Sequence, residues 1–360
     1  MLPGAATSSL SLSPSTCTTA VKTRVTEGRL SQVEVSKRHH TVPNFYLKGF
    51  ASSDKRPRIG AASLDDGRRL VVPTSDATVR KNFYSLDGHP DGSDVFEKEL
   101  SNLEGDASAV IKKAVSGTWP LTLEDREILG TFLAFQFLRG PDTRISLDQI
   151  STTLLSKVIS QLGADGIRNT LAKSGGKPVD DDIVRRLLEQ ASQPDGLTAK
   201  TTSAGHINHM LELVPELVRY FVGRPWVLIR FSSRKLLTCD TPVALVPNPE
   251  FEDAYSGVGL MTAWGITVPL TREVGLLLAN PMALAEEDTQ KPLEELLEDV
   301  VSGKYDHEQN PSTKMAHFFN NHTIANARRW IFHHPDDADL LPDSLPDPRD
   351  REVESEVISG

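Results

Sequence analysis

Cysteine is almost absent from this 360-residue chain: Cys17 lies in a Ser/Thr-rich leader and Cys239 beside an apolar run. Two thiols so far apart build neither a disulfide framework nor a zinc site, and a reducing, cytoplasmic setting suits them. Long hydrophobic runs are missing too. The longest, Trp226 to Ile229 and Val274 to Ala279, are strand-sized. A membrane-spanning helix needs roughly 20 apolar residues, so no membrane association is expected. Positive charge is in deficit, and the formal net charge of -10 argues against non-specific nucleic-acid binding.

The common catalytic signatures are also lacking. Ser174-Gly-Gly-Lys177 has neither the preceding glycine nor the following Ser or Thr of a phosphate-binding loop, no GxSxG elbow occurs, and Gly257-Val-Gly259 does not extend to a dinucleotide fingerprint. His206 and His209 have a spacing that can place two imidazoles on one ion, but no HExxH accompanies them and no acid stands at matching spacing. A surface helix carrying two histidines is the preferred reading, and no metal site is assigned. Cofactor and partner are left unspecified by every motif.

What is present is enough apolar material for a core, with 38% hydrophobic and 24% charged residues. Residues 1–35 read as a disordered leader, a transit peptide being the other option for so acid-poor a segment. Residues 36–334 read as a single globular domain and 335–360 as an acidic tail, where nine acids face two arginines. The expected class is α+β, mostly helical, with a helical middle and a small antiparallel sheet in the C-terminal half.

Pro43 can open a short helix through Phe50, and short strands fit Arg69 to Val72 and Asn82 to Leu86. A helix from Asp94 carries Phe96, Leu100, Leu103, Ala107 and Ile111 on one face, with Glu97 as the acid of a capping box. The next starts at Thr122 and stops at Gly140-Pro141. Helical periodicity recurs over 147–162, 181–191 and 199–221, and two last helices are expected over 292–302 and 312–330.

Several polar residues fall on apolar faces. Arg139 lies in the middle of the most apolar face of the second helix, with Gln136 at its edge, and a buried guanidinium needs a carboxylate or a bound anion. Glu97 and Glu104, seven residues apart on the preceding helix, can both reach it; Glu104 has no capping role and is the better candidate. His322, Asn326 and Arg329 form a polar line on the last helix. Asp240 stands at a strand end, as an Asx turn or a catalytic carboxylate. His39-His40 precedes a Pro-Asn-Phe-Tyr-Leu cluster that anchors it to the core, while His333-His334 reads as a solvated end.

The segment His39-His40-x-Val42-Pro43-x-Phe45-Tyr46-Leu47-x-x-Phe50 resembles the opening motif of a large, mainly bacterial family, domain of unknown function 4238. Lys81-Asn82-Phe83-Tyr84, the helix from Glu97 to Glu104, Phe132 to Pro141, Thr238-x-Asp240-x-Pro242 and Asn321 to Arg328 are similar in order, so the resemblance spans residues 37–332. It implies membership but no activity. Two readings remain open. In one, His40, Glu104 and Asp240 are catalytic and Arg139, Gln136, His322 and Asn326 hold substrate, in a hydrolase acting on a phosphate-containing or other anionic compound. In the other, the same residues form a buried polar lattice in a binding module.

Overall fold

The computed structural model describes residues 38–348 apart from 87, 176–179, 194–195, 250–257 and 288–290. The leader with Cys17, Gly257 and the end of the acidic tail lie outside the described residues. In chain order the elements are β1 (Arg38–His40), α1 (Asn44–Leu47), β2 (Arg58–Ser63), β3 (Arg69–Pro73), β4 (Val79–Lys81), α2 (Val95–Val115), α3 (Leu123–Leu138), α4 (Pro141–Gly175), α5 (Asp181–Ala191) and α6 (Ser203–Val222). There follow β5 (Trp226–Arg230), β6 (Thr238–Cys239), β7 (Ala244–Val246), β8 (Gly265–Pro269), β9 (Val274–Leu278), α7 (Pro281–Glu287), α8 (Leu293–Val301), β10 (His307–Gln309), α9 (Thr313–Asn326) and β11 (Trp330–His333). The mostly helical α+β class holds.

Strands gather into a five-stranded sheet, β10-β5-β9-β8-β7, and a four-stranded one, β3-β2-β11-β6, while β1 pairs with β4. The first is mixed, because β10 runs parallel to β5. The second joins strands from opposite ends of the chain, β2 pairing antiparallel with β11. Alternation along β5 explains the layering. Trp226 and Leu228 enter a core shared with α2, α3 and α6, whereas Val227 and Ile229 enter a second core with α1, β2, α9 and β11. Gly275 on β9 is required by this second core, since a Cβ there would stand 2.7 Å from the Phe319 ring.

Local chemistry sets several boundaries. The Thr122 hydroxyl accepts the Asp125 N–H at 3.2 Å, capping α3 as expected. Asp94 does not cap α2; its carboxylate pairs with Lys98 at 2.9 Å. The strand expected from Asn82 lies earlier, at β4, because Asn82 itself is in the left-handed region with φ 53°. The last helix ends at Asn326 rather than Trp330. Arg329 is therefore off the helix, and its N–H, like that of Arg328, goes to Asp240.

The C-terminal boundary also differs from the charge pattern. His333 is buried, with its ring against Gly60 and its Nδ1 2.7 Å from the His334 carbonyl. Pro335–Leu340 forms a 3-10 turn beyond it, in which the buried Asp337 takes two hydrogen bonds from Arg272, at 2.6 and 2.8 Å. A paired carboxylate can be buried where a run of acids alone predicts solvent.

Candidate functional site

Arg139 follows directly on the last residue of α3, and its guanidinium is 1% exposed. Apolar neighbours on α2 and α3 make that burial, and two acceptors compensate it. Nη1 donates to Glu104 Oε1 at 2.7 Å and Nη2 to the His40 carbonyl at 2.5 Å. Around this ion pair the Tyr84 hydroxyl donates to the Arg139 carbonyl at 2.9 Å, the Tyr84 N–H donates to His39 Nδ1 at 2.7 Å, and Gln136 Nε2 donates to the Thr41 carbonyl at 3.1 Å. The His39-His40 segment is thus clamped to the α2–α3 pair mainly through its backbone. Only His39 offers a ring, stacked 5.7 Å from Tyr84.

Glu97 is the part of this cluster that its sequence position misassigns. Its Oε2 is buried without a hydrogen-bond partner among the described residues. Burial pushes its carboxyl up from 4.5 to about 7; Arg139 opposes the rise and Glu104 adds to it. A raised acid stabilises the fold fully below its unfolded value of 4.5, and that contribution disappears as pH climbs toward 7. Glu97→Gln should therefore flatten the loss of stability across this window, a difference of at most about 2 kcal/mol after allowing for partial exposure. Urea midpoints of wild type and variant at mildly acidic and mildly alkaline pH measure it, and parallel slopes would refute it.

The other expected site residues do not join this cluster. The His40 ring is half-buried, with Nε2 3.2 Å from the Ser75 carbonyl, and burial pulls its pKa below the usual value. Asp240 holds the Arg328 and Arg329 N–H groups at 2.9 and 3.0 Å, a long-range tie between the end of β6 and the chain after α9 in place of the local Asx turn expected at a strand end. Burial nonetheless pushes its carboxyl above the ordinary range. Asn326 Nδ2 stitches the Thr241 and Val243 carbonyls at 2.5 and 3.0 Å. His322 turns along its own helix, with Nδ1 2.8 Å from the Phe318 carbonyl and its ring on Phe318.

Two cavities flank the turn that leads from Arg139 into α4. The first, about 430 Å³, is lined by Thr41, Thr78, Arg80, Pro141, Asp240 and Trp330 over a floor of Ala61, Val72 and Phe332. The second, about 390 Å³, brings together Gln136, Asp142, His209, Thr241 and Asn326. Between them Asp142 forms an ion pair with Arg328. Arg80 is the functional candidate that sequence reasoning missed. It stands on a three-residue strand with no periodicity to betray it, within Coulombic reach of Arg328, Asp240 and Asp142. His206 and His209 divide: His209 faces the second cavity, whereas His206 is fully buried, stacked on Tyr84, with a pKa lowered to about 4 by desolvation. No metal-binding group of three or more His, Cys, Asp or Glu occurs among the described residues.

These features define a mostly helical α+β protein with a buried arginine–carboxylate lattice beside two cavities. The chain belongs to the family described as protein of unknown function (DUF4238), whose model matches residues 38–337. No curated protein and no solved structure matches it. No described helix is long and apolar enough to cross a membrane.

Proposed function

We propose that the chain is a non-catalytic binding module whose ligand is a flat, largely apolar small molecule with one anionic group, taken up in the cavity beside Asp240. The lining of that cavity carries the reading. Arg80 is the only basic residue among the described lining residues, and it accompanies the Asp240 and Asp76 carboxylates and two threonines, Thr41 and Thr78, in a wall otherwise built from aliphatic and aromatic side chains. Apolar walls with a few convergent polar groups are the usual chemistry of small-molecule sites. Trp330 offers a ring face for stacking, and the Arg80 guanidinium a planar fork for carboxylate or phosphate. Asp240 accepts the Arg328 and Arg329 N–H groups, and a carboxylate with about four lone-pair sites keeps acceptor capacity for a ligand hydroxyl or amine. Asp76, also in the lining, is engaged by Arg38 at 2.6 Å.

Binding is favoured over hydrolysis of an anionic substrate because, of the groups that hydrolysis would use, Asp240 alone lines this cavity, while Arg139, Glu104 and the His40 ring are engaged elsewhere. Arg139 is closed off by Glu104 and the His40 carbonyl, and the His40 ring faces Ser75 rather than this cavity. Phenyl phosphate is a suitable probe. It should quench Trp330 emission saturably and raise the melting temperature of the wild type. Arg80→Gln should weaken it by about tenfold, equivalent to about 1.4 kcal/mol. Trp330→Phe should abolish the optical signal. Equal affinity in wild type and Arg80→Gln, or no saturable response, would sink the reading; release of phenol would assign hydrolysis instead.

A further inference from the structure

Helix α4 is an anomaly on the surface of this protein. Of its described side chains only Asp142 and Ile167 are buried. Yet Ile150, Leu154, Leu155, Val158 and Leu162 are between 38% and 56% exposed. At 100° per residue Ile150, Leu154, Val158 and Leu162 form one continuous stripe, with Leu155 at its edge. A helix with that much open surface ordinarily carries charge, but from Gln149 to Ala164 the sole charged residue is Lys157; the rest is Ser, Thr, Gln and aliphatic. Depletion of charge around exposed aliphatics is the composition of an interface centre, not of a solvated face.

The stripe has defined ends. At its N-terminal side α4 is tied to the body, where Thr152 and Asp148 accept the N–H groups of Ala199 and Thr201 at 2.9 and 2.5 Å. At the other side Gly163, with φ 61°, breaks the helix immediately after Leu162. Beyond it the chain packs on α5, where the Arg168 guanidinium meets Asp181 at 2.6 Å. The exposed segment is therefore a rod of about four turns, tied to the body at its N-terminal side, stopped by the Gly163 break at the other and open between them.

We propose that this face of α4 pairs with the same face of a second copy of the chain, the two helices antiparallel about a two-fold axis. Self-complementarity singles out the second copy. An antiparallel pair centred on Ser156 opposes Ile150 to Leu162 and Leu154 to Val158 in both halves at once, so every position of the stripe meets an aliphatic partner. Lys157 lies outside it, opposite Leu155 at the flank. Isologous closure of this kind makes a dimer and stops there. The area agrees: the five side chains leave roughly 450 Å² open per copy, so pairing covers about 900 Å² of aliphatic surface, and the flanking Ser and Thr bring the total near the ~1,200 Å² at which specific interfaces begin.

Sedimentation of the full chain at micromolar concentration tests this. The wild type should sediment as a dimer, and both Leu154→Lys and Val158→Glu as monomers of unchanged helical content, because the changed side chains are exposed. The double variant carrying both substitutions places each lysine opposite a glutamate of the other copy and should recover the dimer. Apolar adhesion without this register would not be restored in that way. A wild type that sediments as a monomer, or a dimer that survives both single substitutions, would overturn the proposal; the monomer would assign the stripe to a different partner.

Discussion

Replacing Arg126 by alanine should lower stability by about 3–5 kcal/mol. Arg126 stands near the start of α3 with a fully buried side chain, and its Nη1 forms an ion pair with the equally buried Asp306. Its Nη2 donates to the carbonyls of Val222, Arg224 and Val300, at 2.8, 3.2 and 3.3 Å. The guanidinium lies 4.3 Å over the Trp226 ring. Asp306 in turn accepts the Trp226 N–H at 2.8 Å. One guanidinium therefore joins α3, the end of α6, the entry to β5, the end of α8 and the approach to β10.

Truncation would leave the Asp306 carboxylate, already pushed up by burial, without the cation that opposes the shift. The cost comes from that stranded charge more than from the lost attraction, and this is separately testable. Arg126→Met combined with Asp306→Leu removes both charges with little change of volume and should lose far less than Arg126→Ala alone. Equilibrium unfolding in urea reads both. A loss below about 1 kcal/mol in the alanine variant would contradict the account.

How legible such features are depends on the range of the interaction. Arg139 was visible in the sequence because a guanidinium on the most apolar face of a helix is locally anomalous, and Glu104 was visible because helical spacing places it on the neighbouring stripe. Thr122 was readable for the same reason: a cap is an interaction over three residues. Arg126 gave no such signal. It lies in the polar first turn of α3, where a charge is ordinary, and Asp306 is 180 positions further on. The histidines were misjudged by the same logic, since the i, i+3 spacing of His206 and His209 does not say that Phe83 and Tyr84, brought from far upstream, cover one ring and leave the other open. Asp240 stands just past a strand end, where a local Asx turn is expected, but its partners are the N–H groups beyond α9, in a segment whose periodicity continues as if the helix did. Pairing across the chain, as in β2 with β11, leaves no trace in either strand's own pattern.

Arg139→Ala should separate a lattice from a ligand anchor. Glu104 and Glu97 share this one cation, and its removal leaves two carboxylates on the same face of α2 with nothing opposite. The expected loss is about 3–5 kcal/mol near neutral pH, smaller in acid, where protonation of Glu97 relieves the repulsion. The sign follows from Glu97: Arg139 holds its raised carboxyl down, so the variant titrates higher still, and its stability keeps declining as pH rises past about 7, where that of the wild type levels off. Adding Glu97→Gln should recover part of the loss at neutral pH and none in acid. Arg139→Lys keeps a charge but cannot reach Glu104 and the His40 carbonyl together as the forked guanidinium does, so an intermediate loss of about 1–3 kcal/mol is expected. If Arg139 instead anchored a ligand, its variants would fold with a pH profile parallel to that of the wild type and lose only the response to phenyl phosphate. The lattice requires the converse: a folded fraction of Arg139→Lys, with Arg80 and Trp330 untouched, should bind the probe as the wild type does.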